Sequence, residues 1–256
     1  MNNFEGWTAL ASWAEITTRV EIGTLVTGIG YRNPDLLADM ARTVDHISGG
    51  RLILISGGRL ILGLGARWYE KDYTVYGYDY GTPSSRITQF EEGLRRIERP
   101  LEQLQPKPLR KIPTLIGGSG ERKTLPLVGR HADIWHTFLD IETVRRKNDL
   151  LRQHAADAGR DETLIERAVA WHGPATADEY AAEGVALYTT EIHPPTTGTD
   201  LAPLKEMLAW RNAVHILVMP FASRRSGTPA GWSLGSRCPV STGQSKPLTG
   251  SARLLA

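Results

Sequence analysis

The sequence predicts an α/β fold, a parallel sheet covered by helices, and three observations point there. Short apolar runs alternate with segments of helical periodicity along nearly the whole chain, as a parallel sheet with helical crossovers requires. The 256 residues suffice for one α/β domain with a sizeable core, and an α/β barrel takes about 250. From Ile112 onward, a strand-like run passes through a glycine turn into a helix, the repeating unit of such folds.

In order, Trp7 to Ile16 reads as a helix and Val20 to Val26 as a strand. The helix from Asn33 to Ile47 is the clearest: Asn33 caps it, Pro34 takes the first helical position, and Leu36, Leu37, Met40, Ala41, Val44 and Ile47 share one face. Arg59 to Leu64 reads as a strand and Ser85 to Glu98 as a helix. IPTLI, from Ile112, is a buried strand; Gly117 to Gly120 turn; Glu121 to Arg130 form a helix. Asp133 to Phe138, Leu164 to Trp171 and Val185 to Thr189 read as strands. Glu142 to Ala158, Ala175 to Glu183 and Asp200 to Arg211 read as helices.

A net charge of +2 with 23% charged residues gives no strong pull toward nucleic acid or membrane. No apolar run approaches the roughly 20 residues of a membrane span. The amino terminus lacks the basic region and cleavage site of a secretory signal. Cys238 is the single cysteine, which excludes an intrachain disulfide and fits a reducing cytoplasm.

Two segments break the order. ISGGRLIL occupies residues 47 to 54 and again 55 to 62. This is a local duplication rather than a solenoid, which needs longer units and more of them. One copy alone can fill the strand position, and a whole-copy shift preserves side-chain facing because eight is even. From Pro220 to Ala256 the chain holds seven serines, five glycines and four prolines, with no acidic residue after Glu206. The expectation is a folded domain over 1–219 and a disordered tail over 220–256.

Gly117, Gly118, Ser119 and Gly120 form a candidate phosphate cup. A helix start leaves backbone N–H groups unpaired and carries about half a positive charge. Glycines let an anion approach the backbone, Ser119 adds a hydroxyl, and Arg122 and Lys123 add positive charge. Competing chemistries are weaker. His131, Asp133 and His136 lie close in sequence, but the spacing points them different ways, so no metal site is assigned. Gly118-Ser119-Gly120 lacks the second flanking glycine of a nucleophile elbow, since Glu121 stands there. Glu70 and Asp72 read as part of a solvated loop.

Three motifs in order resemble the bacterial luciferase-like superfamily, in particular its branch using the deazaflavin coenzyme F420. They are VEIGTLVTGIGYRNPDLLADMARTVDHISGGR, RLILGLGARWYEKDYTVYGYDYGTPSSRI and IPTLIGGSGERKTLPLVGRHADIWHTF, and the likeness runs from about Glu5 to Val214. The resemblance implies a (β/α)8 TIM-barrel type with its site at the carboxyl ends of the strands. It places Leu25, Val26, Thr27 and Gly28 under the deazaflavin ring, where family members carry a backbone bulge. Gly63, Gly65, Ala66 and Trp68 match the loop beside the ring, and Gly117 to Gly120 the turn that holds the cofactor phosphate.

The implied activity is hydride transfer between F420 and an unknown organic substrate. Alternatives are an FMN-dependent monooxygenase and a non-catalytic remnant of the family. Relative to the family, the first strand, first helix and second strand have no counterpart before Asn2, so no catalytic residue is assignable and about six of eight strands are expected. Arg67 replaces a small residue beside the ring, and Pro126 falls inside the helix behind the cup, where it would kink it. An unclosed barrel presents unpaired edges, Val20 to Val26 above all, and homodimerisation or misfolding is the expected consequence.

Overall fold

Glu5 opens the first helix by accepting hydrogen bonds from the Trp7 and Thr8 N–H groups at 3.1 and 2.8 Å. The computed structural model describes residues 5–49, 58–67, 69–192, 200–218 and 253–255. Its helices are α1 (Gly6–Ile16), α2 (Pro34–Gly49), α3 (Glu70–Tyr76), α4 (Pro83–Gln103), α5 (Thr124–His131), α6 (Ile141–Asp157), α7 (Pro174–Ala182) and α8 (Ala202–Val218). Its strands are β1 (Glu21–Gly23), β2 (Thr27–Gly28), β3 (Leu60–Gly65), β4 (Thr114–Gly117), β5 (Ile134–Thr137), β6 (Glu166–Ala170), β7 (Val185–Thr189) and β8 (Arg253–Leu255). The expected cap on α2 is present, with Asn33 Oδ1 accepting from the Asp35 N–H at 2.9 Å.

All described strand pairs are parallel, in the order β7-β6-β5-β4-β3-β1-β8. β1 and β2 both pair with β3 and share one strand position, the first against Leu60 and Ile61, the second against Leu64 and Gly65. The positions β1/β2 to β7 make a curled parallel half-barrel of six strands, an incomplete TIM barrel. Strand alternation divides the side chains cleanly. Leu60, Leu62, Leu64, Ile116 and Trp135 pack with the helices, while Ile61, Leu115, Ile134 and Ala168 line the concave face with Leu25, Val26 and Leu187.

The second ISGGRLIL copy supplies the strand: Leu60, Ile61 and Leu62 lie in β3. Ile47, Ser48 and Gly49 of the first copy finish α2, and 50–57 fall outside the described residues. Arg59 is buried and donates to the carbonyls of Ala14, Thr17 and Val20 at 2.9, 2.6 and 2.6 Å, so it caps the carboxyl end of α1.

Several expectations are corrected. The strand expected over Val20 to Val26 is confined to Glu21–Gly23; Thr24 to Val26 interrupt it before β2. Its outer edge is paired with β8 along Glu21–Gly23, so the edge expected to be open carries a strand there. Arg253–Leu255 belong to the segment expected to be a tail, of which 220–252 and 256 fall outside the described residues. Residues around Tyr73 form helix α3 rather than a solvated loop, because Tyr73 is buried and stacks on Tyr31 at 4.6 Å. No described helix is long and apolar enough to cross a membrane.

Candidate active site

The carboxyl ends of β2, β3, β4 and β5 converge on one rim of the concave face. There the backbone departs from strand geometry at Thr24 to Val26, which includes a cis peptide between Leu25 and Val26. A chain of hydrogen bonds pins this bulge: Trp7 Nε1 donates to Thr27 Oγ1 at 2.9 Å, Thr27 Oγ1 to Thr24 Oγ1 at 3.0 Å, and Thr24 Oγ1 to the Gly63 carbonyl at 2.9 Å. All three side chains are buried, so each polar atom needs these partners.

The glycines of the rim exist to receive the bulge. A Cβ on Gly63 would overlap the Thr24 carbonyl. One on Gly65 would meet Val26 Cγ2 at 2.6 Å, and one on Gly117 would meet Val26 Cγ1 at 3.2 Å. Val26 therefore lies across β3 and β4, presenting an apolar surface beside the cup. Gly28 is covered by the Tyr73 hydroxyl, 2.7 Å from where a Cβ would stand. Ala66 packs against the main core, and Trp68 lies outside the described residues.

Arg67 turns to the segment around Asp79 and Gln89. It takes a left-handed backbone conformation, φ 64°, and its guanidinium donates to the Asp79 carbonyl at 3.0 Å and to Gln89. Its charge rests 5.3 Å from the centre of the Tyr73 ring. Burial pushes the Tyr73 hydroxyl up to about 12 despite Arg67.

At the cup, Gly118 takes φ 127°, where glycine is favoured. Its N–H donates to the His136 carbonyl at 3.1 Å and its carbonyl accepts from Trp135 Nε1 at 2.7 Å. A Cβ on Gly120 would press on Thr124 Oγ1 at 3.0 Å. The helix behind begins at Thr124, not at Glu121 as expected, because the Gly120 carbonyl accepts from both Thr124 and Leu125 at 2.9 Å. Pro126 consequently sits in the first turn, where its missing N–H costs nothing and no kink follows. An open depression beside the cup is lined by Ser119, Gly120 and Lys123 on one side and by Pro83 and Ser84, at the start of α4, on the other.

Sequence reasoning missed Lys147. From α6 this buried ammonium donates to the Ser119 carbonyl at 2.6 Å and pairs with Glu121 at 3.1 Å. Arg146 pairs with the same carboxylate at 2.6 Å, and the two cations hold the Glu121 acid below its ordinary range. The i, i+1 spacing on a helix gave no signal of this, because the contact crosses from another βα unit.

The three residues weighed as metal ligands diverge. His131 turns to Glu98 at 2.8 Å, Asp133 to Lys111 at 2.5 Å, and His136 to Thr189 at 2.9 Å. Burial lowers His136 to about 4, so its imidazole is neutral at pH 7.

The luciferase-like monooxygenase family matches residues 1–215. The chain is similar to a phthiodiolone/phenolphthiodiolone dimycocerosates ketoreductase of Mycobacterium tuberculosis, 31% identical over 188 residues, 64% of this chain and 45% of that protein. It is 26% identical over 175 residues to an uncharacterised protein of Mycobacterium bovis, 63% of this chain and 59% of that one. The chain thus spans about half to three fifths of the curated relatives it matches. In structure it resembles an F420-dependent secondary alcohol dehydrogenase, with TM-score 0.58 and 20% identity over 66% of this chain and 54% of the other. The oxygenating component of an FMN-bound 3,6-diketocamphane monooxygenase of Pseudomonas putida superposes with TM-score 0.52 and 17% identity, over 70% and 57%. With a family match across most of its length and the half-barrel those folds share, the chain belongs to the luciferase-like monooxygenase family.

Proposed function

We propose that this chain holds the cofactor of an oxidoreductase that moves a hydride between coenzyme F420 and a carbonyl or alcohol substrate. One observation carries the reading: the bulge at Thr24 to Val26 and the glycine cup at Gly117 to Gly120 stand side by side on one rim, joined through Val26. The residues present fit the group. The cup exposes backbone between the starts of α4 and α5, with Lys147 behind it, which suits a phosphate. Leu25 and Val26 give a flat ring an apolar floor, flanked by Thr27, Gly28, Gly63, Gly65 and Ala66.

When bound, F420 accepts or returns a hydride at its ring. The protein's share is to grip the phosphate, seat the ring on Val26 and keep the concave face apolar. The ketoreductase and alcohol dehydrogenase names among the similar proteins support carbonyl chemistry. FMN is the second reading, because the same cup suits a ribityl phosphate and a monooxygenase of this fold is FMN-bound.

Titration of the purified chain with F420, FMN and phosphate-free riboflavin tests both, read by fluorescence and thermal shift. A cofactor at a hundredfold excess over Kd should stabilise the fold by about 2.7 kcal/mol. Stabilisation by F420 and not by FMN supports the first reading, and the reverse supports the second. No shift with either leaves the non-catalytic remnant standing.

A further inference from the structure

His136 is a buried ionisable group on the concave face, near the carboxyl end of β5. It follows Ile134 by two residues, so its side chain shares the face of Ile61, Leu115 and Ala168, opposite Trp135. It stands in register with Gly117, the glycine that Val26 covers. The Thr189 hydroxyl donates to the Val169 carbonyl at 3.3 Å, and with its proton thus engaged it accepts from His136 Nε2 at 2.9 Å. With the Thr189 proton on the Val169 carbonyl, Nε2 carries the imidazole proton and Nδ1 keeps a lone pair. Nδ1 has no partner among the described residues, although the residue is only 1% exposed. Phe138, 67% exposed, meets the imidazole edge-on at 4.8 Å.

We propose that His136 positions the substrate, its Nδ1 accepting a hydrogen bond from the hydroxyl of an otherwise apolar alcohol lying between Phe138 and Val26. This rests on the reading of the concave face as the site of hydride transfer. A neutral acceptor in apolar surroundings suits an uncharged hydroxyl and not a carboxylate, which would need a cation there.

The probes are 2-propanol and cyclohexanol, added to the full chain with and without F420. Nitrogen NMR of the histidines should show His136 in the Nε2–H form, with its Nδ1 resonance moving as alcohol is added. In the F420-loaded protein, His136→Leu should raise KM for cyclohexanol at least tenfold, change kcat less than twofold and leave the F420 Kd unchanged. His136→Asn, which keeps an acceptor, should recover most of the KM. An Nδ1 signal unmoved by alcohol, or an unchanged KM in His136→Leu, overturns the proposal. Failure of the cofactor reading looks different: F420 and FMN do not bind, while the NMR titration still decides the role of His136.

Discussion

Arg59 and Ser48, one from each copy of the octapeptide, meet twice: the Arg59 backbone N–H donates to the Ser48 hydroxyl at 2.8 Å, and Arg59 Nε donates to the Ser48 carbonyl at 2.8 Å. The same guanidinium closes the end of α1. Arg59→Met would strip donors from buried carbonyls and should cost about 3 kcal/mol. For a domain of this size that lowers Tm by roughly 6–12 °C in a calorimetric scan.

Deleting residues 50–57 rejoins Gly49 to Gly58 and leaves one ISGGRLIL. Because Ser48 and Arg59 are already in contact, the shortened chain should keep both bonds. Loop-closure entropy changes by only about 1 kcal/mol for such a shortening. Tm should therefore stay within roughly 4 °C of the parent, and a protein that no longer folds would show that the first copy supports the sheet.

Gly63→Ala should be among the most damaging small substitutions in the chain. The added methyl overlaps the Thr24 carbonyl, a backbone atom with no rotamer to escape into, and overpacking of this kind costs about 3 kcal/mol or more. Gly6→Ala is the control. Nothing lies within 4 Å of a Cβ there, so it should be neutral or stabilising in urea denaturation.

Pro126→Ala should change stability by less than about 0.5 kcal/mol, since Pro126 occupies the first turn of α5. A gain of several kcal/mol on urea titration would instead restore the kinked interior proline.

Acid stability should report His136. Its imidazole titrates near 6.5 in the unfolded chain and about 4 in the fold. Between those values the unfolded chain binds more protons, so stability is full above pH 6.5 and falls as pH drops toward 4, by about 3 kcal/mol. His136→Asn should flatten that part of the urea midpoint profile, and an unchanged slope would assign it to another group.

Much of this architecture is written locally. Asn33-Pro34 announces α2, and the apolar runs at Leu60, Leu115 and Ile134 announce strands, because caps and alternation act over a few residues. What escaped depends on distant partners. Helix α3 has no apolar stripe and is held by Tyr31, some forty residues earlier in the chain. Lys147 reaches the cup across 28 residues and His136 finds Thr189 across 53. The sequence places the start of α5 too early because Glu121 to Lys123 have good helix propensity, yet the Gly120 carbonyl ties the first turn to Thr124 and Leu125.

Val26 reaches the glycines of two neighbouring strands, Gly65 beside the proposed ring site and Gly117 at the proposed phosphate cup. A ring settling on Val26 and an anion settling at Gly117 to Gly120 would then push on the same side chain, so neither half of a cofactor binds independently of the other. Cutting the ligand into its two fragments should forfeit more affinity than the loss of either fragment's own contacts.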